Sequence, residues 1–430
     1  MPASDAHATT FLDFVKDSPT SYHAVAAISA RLRAAGFVEV DETERWSDAL
    51  PANGFVRRDG ALIAWRQPSD WTARTALRVV ACHTDSPALK VKPVGEFSRA
   101  GFRLAETEIY GGPILATWFD RDLMIAGRLI DTEGRTHLVR TPAIARIPSL
   151  AVHLDASLRK DLSVDAQRDL NAVLGLEATG ASGPAGSADS VIAVAAAQLG
   201  LDADDVLAEE LFFVPAEEPA LIGIHGELVA SYRLDNLASV FPELIGFTQA
   251  EPTDHVQVLA AFDHEEIGSG TPSGASGPFL PQVLRRLSLA HGHDEDAHLA
   301  WVARGAALSA DVAHGVHPVR SDRHDPVVQP RLGSGPVLKW SAPMRYATDA
   351  ASTTYWVRAC KSAGVEHQVF VNNNNVPGGR SLGPLLATRL GIRTVDAGVP
   401  VVGMHSAREL CAASDLEGFA LVTKGFLELD

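Results

Sequence analysis

Three stretches of this sequence share one design: an apolar, β-branched run that turns abruptly polar at its carboxyl end. LRVVACHTD (77–85), VQVLAAFDHEE (256–266) and AALSADVAH (306–314) each read as a buried strand with chemistry-bearing side chains where it stops. Strands apolar on both faces need cover on both sides, which α/β proteins with a largely parallel sheet provide. HQVFVN (367–372) and IRTVDAGV (392–399) read as further core strands, with helical patterns at 382–390 and from Glu409 onward. A first helix is expected after Ser18-Pro19-Thr20-Ser21. There Val25, Ile28, Leu32 and Ala35 recur at helical spacing, and Gly36 supplies the stop.

The pattern changes between 91 and 230, where Gly-Gly turns and short alternating runs such as HLVRTPAIARI (137–147) dominate. A low-complexity loop, ATGASGPAGSADS (178–190), lies in the same region. The expected fold class is therefore α/β: a mixed, largely parallel sheet flanked by helices, with an inserted β-rich domain. Residues 1–90 and 231–430 make the discontinuous main domain, and 91–230 the insertion.

Charge narrows the function. Lys and Arg number 37 against 53 Asp and Glu, a net charge of −16 over 430 residues. That balance argues against nucleic acid and against an anionic membrane surface as partners. Cys82, Cys360 and Cys411 are too few and scattered for a disulfide framework or a cysteine-based zinc cluster, so the expected compartment is the reducing cytoplasm. The N-terminus has neither the basic start nor the apolar run of a signal peptide, and the most apolar stretch, 191–201, is too short to span a bilayer. HGHDEDAH, with His291, His293 and His298, reads as a solvated loop.

The strand ends carry the chemistry. In His83-Thr84-Asp85 an imidazole can ligate a cation while a carboxylate two residues on orients it from the same side of the chain. Glu265 and Glu266 are adjacent, so on a strand they point opposite ways, one toward a metal and the other toward a bound water. Taken singly, Asp235 in SYRLDNL reads equally as a helix N-cap, Asp311 as a loop aspartate and His405 in GMHSARE as a core histidine. Jointly, the order H-x-D, D, E-E, D, H suits two cations that share a bridging carboxylate. Mixed carboxylate and imidazole donors suit zinc, with manganese or cobalt as substitutes.

ACHTDSPALKVKP, GGPILATWFDRDLMIAGRL, RIPSLAVHL, RLDNL, FDHEEIGSG, SADVAHGVHP, GPVLKW with RYAT, LGPLLATRLGI and MHSARE occur in order over nearly the whole chain. Together they resemble the aspartyl aminopeptidase family of cytosolic dinuclear zinc exopeptidases. The resemblance implies two Zn2+ per subunit and His83 with Asp311 as the terminal ligands of one metal. It further implies Glu266 with His405 for the other, Asp235 as the bridge, Glu265 as general base and Asp85 backing His83. His153 matches a histidine that reaches into a neighbouring subunit's site, and His314 and Tyr346 match residues near the reacting carbonyl. Lys339 matches a lysine of the pocket for an acidic side chain, and Arg345 is considered with it. The implied substrates are peptides with an N-terminal Asp or Glu, and the implied assembly is a homo-oligomer, a tetrahedral dodecamer, built through the insertion as a dimerisation or lid domain. Two departures stand out: His264 where the family usually has Asn before the glutamate pair, and NNNNVPGGRSLGP (372–384) where it has an Asp-containing loop.

Other readings use overlapping residues. A neutral aminopeptidase or an N-acyl-amino-acid deacylase would need similar ligands, and a metal-stabilised assembly subunit would need no free base. Gly379-Arg380-Ser381-Leu382-Gly383 fits the G-x-S-x-G of serine hydrolases, with Asp396 and His405 following in their chain order. The segment 372–377 stands where that motif needs a strand running straight into the turn.

Overall fold

The computed structural model describes residues 3–46, 50–72, 74–177 and 190–429. The chain divides into two compact units. One comprises Met1–Asp85, Ala220–Met404 and Glu409–Asp430, the other Ser86–Pro219 with His405–Arg408.

The first unit is built on a nine-stranded mixed sheet. Its order is Val38–Glu39, Asn53–Arg58, Ala61–Arg66, Val256–Phe262, Leu77–His83, Ala306–Ala310, Arg393–Gly398, Val337–Lys339 and Gln368–Phe370. The four central strands, Val256–Phe262 through Arg393–Gly398 in that order, run parallel. Both Val256–Phe262 and Leu77–His83 are buried at every position, as expected of strands covered on both faces. Against one another they pair Phe262 with His83, and Leu77–His83 pairs Ala81 with Ser309 on its other side. The carboxyl ends of three neighbouring strands therefore open together, the usual place for a site in such sheets. Val79, Ala81, Val258 and Ala260 pack in one core with Leu284, Leu287, Trp301 and Leu386.

A second sheet in this unit joins Ala220–Ile222, Leu228–Ser231, Glu409–Ala412, Pro400–Val402 and Ala313–His314. Residues 220–230 thus pair within the first unit. The second unit is a closed six-stranded barrel, from Ala88–Arg99 to Val206–Pro215, with Leu123, Ile125, Leu211 and Phe213 in its core. Closure leaves the barrel no open edge.

Several local expectations need correction. Glu409–Ala412 is a strand, and the last helix begins only at Ala413. HQVFVN contributes a three-residue edge strand, Gln368–Phe370, rather than a core strand. HGHDEDAH is a solvated loop only in its first half: His291 and Gly292 are exposed turn residues, His291 lying 4.3 Å from Trp71, while Asp294 caps the helix Glu295–Ala303 and His298 is buried on it. Acidic residues flanking histidines served here as a helix start, whose apolar face begins only at Trp301. The helix expected after Ser21 is Ser21–Ala34, capped by Thr20 and stopped at Gly36, whose φ of 85° suits a residue without a side chain, but it is not the first, since Ala3–Lys16 precedes it. The loop at 178–190 lies, but for Ser190, outside the described residues.

Candidate metal centre

Each strand end delivers its side chain by a different local device. His83 is the last residue of its strand and is almost fully buried. Its Nδ1 lies 3.1 Å from the Asp85 carbonyl and 3.4 Å from Asp85 Oδ1, which turns Nε2 toward Asp235 and Asp311. Asp311 directly follows Ala306–Ala310, and its amide donates to Ala397 O at 3.1 Å. Asp235 is no N-cap. Arg233, in the left-handed region, precedes the helix Leu234–Gln249, and Asp235 keeps non-helical angles within its first turn. Its amide donates to Glu409 Oε2 at 2.9 Å, while Asn236 Nδ2 donates to Ala310 O at 2.9 Å. The Asp235–Asn236 peptide is cis.

Glu265 and Glu266 lie not on a strand but in the short 3-10 turn Glu265–Ile267. Alternation therefore does not separate their roles, because the strand stops at Phe262 and His264 takes a left-handed conformation with φ 64°. Asn and His are both among the residues that tolerate this region, so His264 keeps the turn possible. The turn is pinned by Asp85, whose Oδ1 accepts the Glu265 amide at 3.0 Å and Oδ2 the Glu266 amide at 3.1 Å.

The donor set fits a metal ion. Tetrahedral ligands about 2.1 Å from a common zinc stand about 3.4 Å apart. His83 Nε2 is 3.4 Å from Asp235 Oδ1 and 3.7 Å from Asp311 Oδ1. Ligand atoms of His83, Asp235 and Asp311 all lie within 4.8 Å of one another, as do those of His83, Glu265 and Glu266. Burial disfavours the imidazolium, yet hydrogen bonds to Asp235, Asp311 and Asp85 outweigh it and hold His83 well above its ordinary pKa. A proton there does in part what a cation would do. Burial pushes the Glu265 carboxyl up to about 7; the His83 charge opposes this, and Asp311, Asp85 and Asp235 reinforce it.

Lys339 ends the strand Val337–Lys339 and is buried. Its ammonium donates to Asp311 O at 2.8 Å, Asp311 Oδ2 at 3.2 Å and Val312 O at 3.3 Å, and lies 5.0 Å from the Tyr346 ring. Burial alone would lower its pKa, but Asp311 and its neighbours raise it, so the group stays charged. His314 ends Ala313–His314 with its ring 5.7 Å from Phe370, and burial with Lys339 nearby lowers its pKa. Tyr346 is buried, and that burial raises its phenol pKa. Arg345 donates to Gly378 O at 2.9 Å and lines a cavity of about 800 Å3 with the four asparagines 372–375.

His153 and His405 belong to the second unit. His405 has φ 67°, and its Nδ1 lies 3.0 Å from Gly112 O, which fixes Nδ1 as the protonated nitrogen. His153 is exposed, between Leu150 and Leu154, which are 55% and 75% exposed. The serine-hydrolase arrangement is absent: Ser381 is fully buried and donates directly to Asp396 Oδ1 at 2.7 Å, an oxygen that also takes the Ser309 hydroxyl. Sequence reasoning missed Glu409, which holds the Asp235 backbone from a distant strand and has no signature of its own.

The family model described as aminopeptidase I zinc metalloprotease (M18) matches residues 14–427. The chain belongs to this family. As an M18 aminopeptidase it is a zinc-dependent metallopeptidase with the mixed α/β fold of its relatives. It is 42% identical to a probable M18 family aminopeptidase 2 of Streptomyces avermitilis, over 98% of each chain. Among solved structures it is similar to an M18 aminopeptidase from Thermotoga maritima, at 25% identity, TM-score 0.86 and coverage of 99% and 96%. It is likewise similar to the S. cerevisiae mApe1 dodecamer, at 25% identity, TM-score 0.85 and coverage of 99% and 97%.

Proposed function

We propose that this M18 aminopeptidase removes N-terminal Asp and Glu from peptides with two zinc ions per subunit, for which manganese or cobalt can substitute. His83 and Asp311 are the terminal ligands of one ion, Glu266 and His405 those of the other, and Asp235 the bridge. The observation that carries the reading is the gathering of Asp85, Asp235, Glu265, Glu266 and Asp311 about His83, against the single ammonium of Lys339. Buried carboxylates in such excess need cations, which divalent metal ions would supply.

Zinc held by these residues would polarise the scissile carbonyl and lower the pKa of the attacking water. Glu265 takes that water's proton and returns it to the leaving amine, as a positioned carboxylate can. Asp85 fixes the His83 tautomer and the Glu265 turn together. His314 and Tyr346 flank the carbonyl. Lys339 favours an acidic side chain through its buried charge, since its three protons already have acceptors, and Arg345 adds a second cation.

Assembly as a homo-oligomer, a dodecamer like the yeast relative, would place His153 in a neighbour's site. The exposed leucines at 150 and 154 support a contact there. A cytoplasmic location accords with three free, buried cysteines, and no helix among the described residues is long and apolar enough to cross a membrane. Release rates from Asp-, Glu- and Leu-anilides, with and without chelator, test this function. Chelator-sensitive release of Asp or Glu ahead of Leu is expected, and faster Leu release would overturn the acidic selectivity.

A further inference from the structure

A second cluster of charge lies in the first unit among residues that play no part in the metal centre. A cavity of about 720 Å3 is lined there by Glu42, Arg58, Arg285, Arg286, Glu295 and Arg389, among others. Four guanidinium groups face two carboxylates, a local positive excess in a chain of net charge −16.

Two of the arginines are held rigidly. Arg58 binds Glu42 Oε2 through Nε at 3.1 Å and Nη2 at 2.6 Å, and its guanidinium lies 4.3 Å from the Phe279 ring. Arg286 donates to the Glu42 and Glu44 carbonyls and lies 3.9 Å from the Trp46 ring. Donors fixed in this way lose little freedom when a ligand arrives.

The other two have bonds still to make. Arg285 pairs with Glu295, but its Nη1 is buried with no hydrogen-bond partner, and so is Nδ1 of His298 on the same cavity wall. Arg389 is exposed and pairs with nothing among the described residues. The buried Nη1 of Arg285 is a charged donor that a ligand oxygen lodged in the cavity can satisfy. Guanidinium forks match the oxygens of phosphate, and a cavity in the range of about 300–1,000 Å3 suits a small molecule rather than a lone ion.

We propose that this cavity binds a small molecule carrying two or more phosphate groups. The two anchored arginines form the floor, while Arg285 and Arg389 supply donors not otherwise spent. The test is calorimetric titration of the zinc-loaded full chain with fructose 1,6-bisphosphate at fixed ionic strength, with fructose as the control. Saturable binding of the bisphosphate alone is expected, weakened about tenfold or more by Arg285→Gln and again by Arg389→Gln, which corresponds to at least ~1.4 kcal/mol each. Both variants should keep the wild-type rate of peptide hydrolysis, which shows that they fold. Absence of binding to the wild type, or equal binding by the variants, would overturn the proposal.

Discussion

The Asp85 oxygen that stands 3.4 Å from Nδ1 of His83 is also the oxygen that accepts the Glu265 amide, at 3.0 Å. One carboxylate therefore orients an imidazole on one strand and, across the neighbouring strand end, the turn that carries two glutamates. The second oxygen takes the Glu266 amide, so both acceptor positions are used and the group is 4% exposed. Orientation of the metal site and of the base are coupled through this residue.

Replacing it separates the coupling from the ligands. Asp85→Ala leaves every ligand in place and keeps the carbonyl 3.1 Å from His83 Nδ1, but removes the acceptor of two amides and the carboxylate beside the imidazole. Zinc affinity should fall about 10–100-fold. Stability should fall by about 1–3 kcal/mol for the amides left unpaired. Competition titration with a chromophoric chelator and thermal melting of the metal-free protein measure the two effects, and unchanged affinity would show that Asp85 does not orient His83.

Metal uptake should expel a proton. With its folded pKa held well above 6.5, His83 is charged at neutral pH when no metal is bound, whereas a ligating imidazole is neutral. Zinc affinity should therefore rise with pH until the metal-free ring loses its proton. Titration calorimetry at pH 7 in buffers of different ionisation enthalpy should show proton release, and heats independent of buffer would contradict it.

A third outcome concerns stability alone. Glu243 is fully buried on Leu234–Gln249, and burial raises its pKa well above the usual carboxyl value. The fold then favours the protonated form. Its contribution is fully present below the unfolded pKa of about 4.3 and is lost as pH rises through the folded pKa. Glu243→Gln has no proton to lose. The variant's Tm minus that of the wild type should therefore grow from pH 5 to pH 8, and a constant difference would refute the assignment.

The central strands were legible because Leu77–His83 and Val256–Phe262 are buried on both faces, so their apolar runs admit no other reading. The ends of those runs, and of Ala306–Ala310, marked His83, the glutamate pair and Asp311. Less was legible where the backbone leaves regular geometry. The left-handed His264 and Arg233 decide how Glu265 and Asp235 are presented, and neither residue type announces that conformation. Glu409 was hidden for another reason: it acts on Asp235 from 174 positions away. The strand Glu409–Ala412 forms because its partner Leu228–Ser231 lies beside it, a tertiary influence that overrides local helical pattern.

The base assignment is the centre of the mechanism, and Glu265→Gln tests it most directly. The substitution keeps the size of the side chain and leaves the proposed ligands His83, Asp235, Glu266, Asp311 and His405 untouched. Bound zinc measured by mass spectrometry, together with kcat on an Asp-anilide, distinguishes loss of metal from loss of the proton acceptor. Wild-type zinc content is expected, with kcat reduced by about 10²–10⁴-fold, the usual worth of a general base. Full zinc with a wild-type rate would contradict it.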